Sequence, residues 1–134
     1  MKYLLDTHIL IWSLTDDPRL SVAARQIINN STHHMFYSTV SIWEVAIKYQ
    51  LHPVKMSCSS KDLLTYCNVS DMTNVPLLDR HVLAIEKLLI GVSDMTHKDP
   101  FDRILLAQAM EEHMIFITHD KKLSAYRGVS IQLV

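Results

Sequence analysis

Glycine is nearly absent from this 134-residue chain, with Gly91 and Gly128 its only two. A glycine-rich phosphate cradle needs more, so nucleotide binding through a P-loop or a GxGxxG turn is excluded. Cysteine is as scarce. Cys58 and Cys67 form no CxxC pair and no even framework, which gives no cysteine zinc site and fits a reducing compartment. Neither sign of charge dominates: 13 Lys+Arg stand against 14 Asp+Glu, for a formal net charge of −1. No global basic field announces nucleic acid, so such a partner would have to be met by local patches or by cations that offset carboxylates. No apolar run approaches the ~18 residues of a membrane span. The opening "MKYLLDTHILIWSL" is interrupted by Asp6 and His8, and no small-residue cleavage site follows. The expectation is a soluble, cytoplasmic chain with no membrane partner.

What is present is ordinary globular composition, 49% hydrophobic and 20% charged. A chain of this size forms one domain, residues 1–134, that buries roughly two-thirds of its unfolded surface. Short apolar stretches alternate with helical ones. Strands are expected at 2–5, 35–39 ("MFYST"), 74–78 ("NVPLL"), 114–118 ("MIFIT") and 129–134 ("VSIQLV"). Helices are expected at 7–14, 22–29, 41–51 with Ser41 as N-cap, 60–67, 79–89, 99–113 and in "DKKLSAY". Five strands separated by helices predict an α/β domain with a mainly parallel sheet.

In such a sheet ligands sit beyond the carboxyl ends of the strands, near the switch in strand order. Acids at those ends therefore stand out: Asp6 in "YLLDT", Asp120 in "IFITHD", Glu44 early in the helix after the second strand, and Asp99 and Asp102 in "HKDPFDR". Each has a plainer reading. Asp6 and Asp120 suit N-caps. Asp99 suits an N-cap before Pro100 at the first helical position, and Asp102 gains from the helix dipole. Glu44 pairs with Lys48 four residues on, and a helical wheel places both away from an Ile42, Val45, Ala46, Tyr49 stripe, which reads as a solvated ion pair.

The joint pattern weighs against five separate plain readings. Carboxylates gathered at one edge repel one another and raise one another's pKa. Hard cations such as Mg²⁺ or Mn²⁺ remove that penalty, being bound by oxygen ligands, and such a centre suits phosphodiester hydrolysis. No serine or cysteine nucleophile pattern competes, and the eight histidines contain no HExxH. His97 and His119 neighbour the acids and are candidates to position substrate, with a solvated or capping role as the plainer alternative for each.

Four stretches in order, "LLDTHILIW", "SIWEVAIK", "HKDPFDRILLAQA" and "FITHDKKLSAY", resemble the PIN (PilT N-terminal) domain family, and within it the VapC-type toxin ribonucleases of bacterial toxin–antitoxin pairs. The resemblance spans nearly the whole chain. It implies a PIN-like α/β/α sandwich with a mainly parallel five-stranded sheet. It also implies Asp6, Glu44, Asp102 and Asp120 as an acidic quartet that is both catalytic and metal-binding. Thr7 and Thr118 match polar positions beside the quartet, and Asp99 matches an additional acid. Family members cleave RNA with Mg²⁺ or Mn²⁺, dimerise, and are silenced by an antitoxin. The stretch "GVSDMTHKDPFDR" departs from the family in lacking a leucine–proline before its histidine.

The expected function is a metal-dependent endoribonuclease, the toxin of a type II toxin–antitoxin pair, with RNA as substrate, a cognate antitoxin as partner and a homodimeric state. The apolar "SIWEVAIKYQL" and "VLAIEKLLIGV" would supply the dimer surface. Lys98, Arg103, Lys121 and Lys122 are candidates to contact phosphates, with solvated surface charge as the alternative for each. The competing functions are a PIN-fold nuclease acting on DNA or in non-toxin RNA processing, and a receiver-like binding module. The receiver would need an acceptor aspartate after the third strand and a lysine after the fifth. Only Asp79 lies near the former, and "SIQLV" closes without a lysine.

Overall fold

Residues 1–90 and 99–134 are described in the structure, a computed structural model. The expectations for Gly91, His97 and Lys98, and for the shape of the loop before Asp99, fall outside the described residues. Five strands form one parallel sheet: β1 (Lys2–Leu5), β2 (His34–Ser38), β3 (Thr73–Val75), β5 (Ile115–Thr118) and β7 (Ile131–Leu133), in the order β3-β2-β1-β5-β7. The chain steps outward from β1 through β2 to β3, then returns to the other side of β1. The switch in strand order thus lies between β1 and β5, whose registers match Leu5 with Ile117. A separate two-residue antiparallel ladder joins β4 (Leu89–Ile90) to β6 (Tyr126–Arg127).

Both faces of the sheet are covered, which is why its central strands read as continuous apolar runs rather than alternations. Tyr3, Leu5 and Ile117 pack into a core with α1 (Thr7–Leu14), α2 (Val22–Ile28) and α4 (Ser60–Val69). Leu4 and Phe116 point the other way, into a core with α5 (Asp79–Ala84) and α6 (Pro100–Glu111). α3 (Thr39–Leu51) contributes Val45 to the first core and Val40 to the second. The result is the α/β/α sandwich expected. Among the described residues no helix is long and apolar enough to cross a membrane.

Several boundaries differ from the sequence reading for local reasons. Ser38, not Ser41, caps α3: its hydroxyl oxygen accepts from the Val40 N–H at 2.9 Å, so the helix starts directly off β2. The helix expected over 79–89 divides into α5 and a 3₁₀ turn (Ile85–Lys87), freeing Leu89 for the ladder with Arg127. "DKKLSAY" forms a 3₁₀ turn (Lys121–Ala125) and then runs into β6. The third strand begins one residue earlier than expected and stops at Val75, before Pro76, which has no N–H to give a ladder.

Candidate active site

Beyond the carboxyl ends of β1 and β5 lies a cavity of about 420 Å³. Its walls carry five carboxylates (Asp6, Glu44, Asp99, Asp102 and Asp120) together with His8, Lys48, His119 and Lys121. They arrive from four stretches of chain. Asp6 is the residue after β1 and caps α1. Asp120 follows β5 and caps the 3₁₀ turn by accepting from the Lys122 N–H at 3.0 Å. Asp99 caps α6, one oxygen accepting from the N–H groups of Phe101 at 2.9 Å and Asp102 at 3.2 Å, with Pro100 at the first helical position. Asp102 stands in the first turn of that helix.

Two threonines fix the two most deeply buried acids. Asp6 accepts from the Thr7 N–H through Oδ1 at 2.7 Å and from the Thr118 hydroxyl through Oδ2 at 2.6 Å. The Thr118 oxygen in turn accepts from the Asp120 N–H at 3.1 Å, tying the ends of β1 and β5 together. The Thr7 hydroxyl donates to Glu44 Oε1 at 2.7 Å. Its only proton is then committed, so the Ser41 hydroxyl, 2.9 Å away, is the donor in their contact. Lys48 Nζ meets the other Glu44 oxygen at 2.5 Å.

This corrects the solvated-pair reading of Glu44. The residue is 3% exposed, and α3 turns inward a polar stripe of Ser41 and Glu44, with Val40 and Val45 buried beside it. Ala46 and Tyr49, expected to be buried, face solvent. The wheel correctly separated Glu44 from those apolar positions, but the polar side of the helix is the side that meets α1 and the cavity. Two occupants of the cavity wall, Lys48 and His8, went unrecognised as site residues. The available signal was spacing: Lys48 is one helical turn beyond Glu44, and His8 lies two residues past Asp6. Arg103 and Lys122 are not among the wall residues, whereas Lys121 is. The Arg103 Nε is buried with no hydrogen-bond partner among the described residues. Lys98 is outside the described residues.

Crowding of like charge shows in the acidities. Burial, followed by the charges of Asp6, Asp99, Glu44 and Asp120, pushes the Asp102 carboxyl up to about 8. Asp6 is also raised, by burial first and then by Glu44, against the lowering effect of its bonds to Thr118 and Thr7. Partial burial works against the Lys48 ammonium, but its bond to Glu44 and the charges of Glu44, Asp99 and Asp102 outweigh it, so its pKa is raised.

Among the described residues no group of three His, Cys, Asp or Glu side chains is arranged as a finished metal cage. The donor chemistry nonetheless fits a hard divalent cation. The converging groups are carboxylate oxygens, and their mutual repulsion, read in Asp102, is relieved by a cation between them. A proton on Asp102 is the competing way to relieve it.

Aromatic rings flank the cavity. His119 lies 4.7 Å from Trp12 and 5.8 Å from His8 between ring centroids. Trp43 and Phe101, the chain neighbours of Glu44 and Asp102, meet edge-on at 4.8 Å.

The architecture is shared with solved structures of low sequence identity. VapBC2 from Rickettsia felis bound to a promoter DNA fragment contains a chain that superposes with a TM-score of 0.70 at 10% identity, covering 100% of this chain and 99% of that one. For DNA-bound VapBC from Salmonella typhimurium the TM-score is 0.67 at 15% identity, covering 98% and 97%. For VapBC-1 from nontypeable Haemophilus influenzae it is 0.66 at 16% identity, covering 99% and 98%. No curated protein matches the sequence. The PIN domain family model matches residues 3–129, and with that match over nearly its whole length the chain belongs to the PIN domain family.

Proposed function

We propose that this chain is a metal-dependent endoribonuclease of the VapC type, the toxin of a type II toxin–antitoxin pair. The observation that carries the reading is the convergence of five carboxylates in one cavity, with Asp102 pushed up to about 8 by burial and by the charges of the others. Asp6, Asp102 and Asp120, with Glu44 in support, would hold Mg²⁺ or Mn²⁺. When bound, the cation supplies Lewis acidity, easing deprotonation of the attacking water and offsetting charge on the phosphodiester.

The protein's own contribution is pre-organisation. Thr118 and the Thr7 N–H hold Asp6 in one orientation, and the Thr7 hydroxyl does the same for Glu44, so neither acid has to be ordered when substrate arrives. Asp99 holds the start of α6 and thereby sets where Asp102 stands. Hydrolysis adds water across the P–O3′ bond, leaving a 5′-phosphate and a 3′-hydroxyl.

An antitoxin partner is supported by the neighbours described above, which are VapBC assemblies, two of them bound to DNA. A homodimer is supported by apolar side chains left exposed on α3 (Ile47 and Leu51) and on α5 (Val82 and Leu83). The proposed setting is the cytoplasm.

The test is to express the chain in cells and map the 5′ ends of RNA. Discrete new 5′-phosphorylated ends in RNA, absent when Asp102→Asn is expressed, are expected. Breaks confined to DNA would favour the DNA-directed alternative.

A further inference from the structure

Lys48 is a basic residue of the cavity wall that bonds directly to a wall carboxylate, Glu44. The plain account is that it neutralises a buried acid. Two observations go beyond that. Glu44 already accepts a hydrogen bond from Thr7 at its other oxygen, so it is not stranded without the lysine. The Lys48 side chain is 38% exposed while that of Glu44 is 4% exposed, so the lysine stays open to the cavity rather than sealed with its partner. An ammonium carries three donors, and the bond to Glu44 uses one.

We propose that Lys48 contacts the scissile phosphodiester and stabilises the charge that builds on its non-bridging oxygens during cleavage. The inference rests on the nuclease reading above and adds a catalytic residue to it. A phosphodiester entering a cavity walled by five carboxylates meets repulsion that one divalent cation offsets only in part. A second positive charge is needed within reach of the substrate. Lys48 is anchored by α3 at the cavity wall, and its four-carbon stem lets the ammonium shift from Glu44 toward an incoming anion. A cation shared among the acids pushes it the same way by like-charge repulsion. The lysine keeps its proton throughout; it forms no covalent bond and transfers nothing. Its hydrogen bond strengthens as negative charge grows, which places its effect on kcat. Lys121, also in the wall, is exposed on a short 3₁₀ turn and lacks such an anchor.

The experiment compares purified wild-type chain, Lys48→Gln, Lys48→Met and Lys48→Arg on a single-stranded RNA oligonucleotide in Mn²⁺, with Mn²⁺ affinity measured separately by electron paramagnetic resonance. Lys48→Gln keeps a donor for Glu44 and so guards against a folding failure in Lys48→Met. The proposal expects kcat to fall by about 100-fold in the Gln and Met variants, as for loss of one transition-state donor. KM should stay within about 3-fold and Mn²⁺ affinity should be unchanged or tighter, since a competing positive charge is gone. Lys48→Arg should retain most of the activity. Equal kcat in wild type and Lys48→Gln overturns the proposal alone. So does a loss of Mn²⁺ affinity that parallels the loss of activity, because Lys48 would then act only through Glu44. If wild type binds Mn²⁺ and cleaves no RNA, the nuclease reading fails and this proposal fails with it.

Discussion

Replacing Asp102 by Asn should stabilise the metal-free protein, and do so only above acidic pH. In the folded chain the Asp102 carboxyl titrates near 8, against 3.8 ordinarily. Between those values the folded state holds a proton that the unfolded state has lost, so stability falls as pH rises. At ~1.4 kcal/mol per tenfold, the ceiling on that loss is ~5 kcal/mol by pH 8. Solvent in the cavity and relaxation of the neighbouring acids screen it, and a measured effect of ~2 kcal/mol is the working expectation. For a domain of this size that is about 8 °C in Tm. Asn keeps the shape and removes the charge. Melting curves in EDTA from pH 4 to 8.5 should therefore coincide for wild type and Asp102→Asn at the acid end and separate as pH rises, the variant melting higher. Parallel curves across the range, or a variant less stable at pH 8, would show that burial and the neighbouring acids do not raise the Asp102 carboxyl, and would remove a main support for a cation site.

Three further outcomes follow from the same network. Thr7→Val removes the hydroxyl shared by Glu44 and Ser41 and should cost about 1–3 kcal/mol in urea unfolding, with Thr7→Ser close to wild type. Asp99→Ala removes the cap of α6 and should cost about 0.5–2 kcal/mol by the same assay, with Asp99→Asn milder. Mn²⁺ at about 100 times its Kd should stabilise the wild type by about 2.7 kcal/mol, read as a rise in Tm that EDTA reverses and Asp102→Asn lacks.

The fold was legible where local chemistry and tertiary demand agree. "YLL" and "IFI" are apolar on both faces because helices cover both faces, and "DPFD" signals a cap, an N1 proline and a first-turn acid at the start of α6. Legibility failed where the site overrides pattern. α3 was phased by its apolar residues, yet it buries Ser41 and Glu44 because Thr7 and Lys48 satisfy them there. That partnership joins residues 34 and 37 positions apart, and no window along the helix contains it. The β4–β6 ladder is two residues long, too short for any alternation to show. Asp6, Asp99, Asp102 and Asp120 could be singled out because each sits at a strand or helix end, and Glu44 because it lies early in the helix that follows the second strand. Which of them share a cavity with Lys48 and His8 depends on the β1–β5 switch, a property of strand order and not of any one stretch.

If these carboxylates support cation-dependent hydrolysis of RNA, the product ends carry its signature. Purified chain would be incubated with single-stranded RNA in Mn²⁺, with and without excess EDTA, beside Asp102→Asn, and the ends identified by phosphatase and ligase sensitivity. The expected products carry 5′-phosphate and 3′-hydroxyl ends, formed by wild type only and abolished by the chelator. Undiminished cleavage in excess EDTA, or 2′,3′-cyclic phosphate ends formed by attack of the RNA's own 2′-hydroxyl, would contradict cation-dependent hydrolysis by these carboxylates.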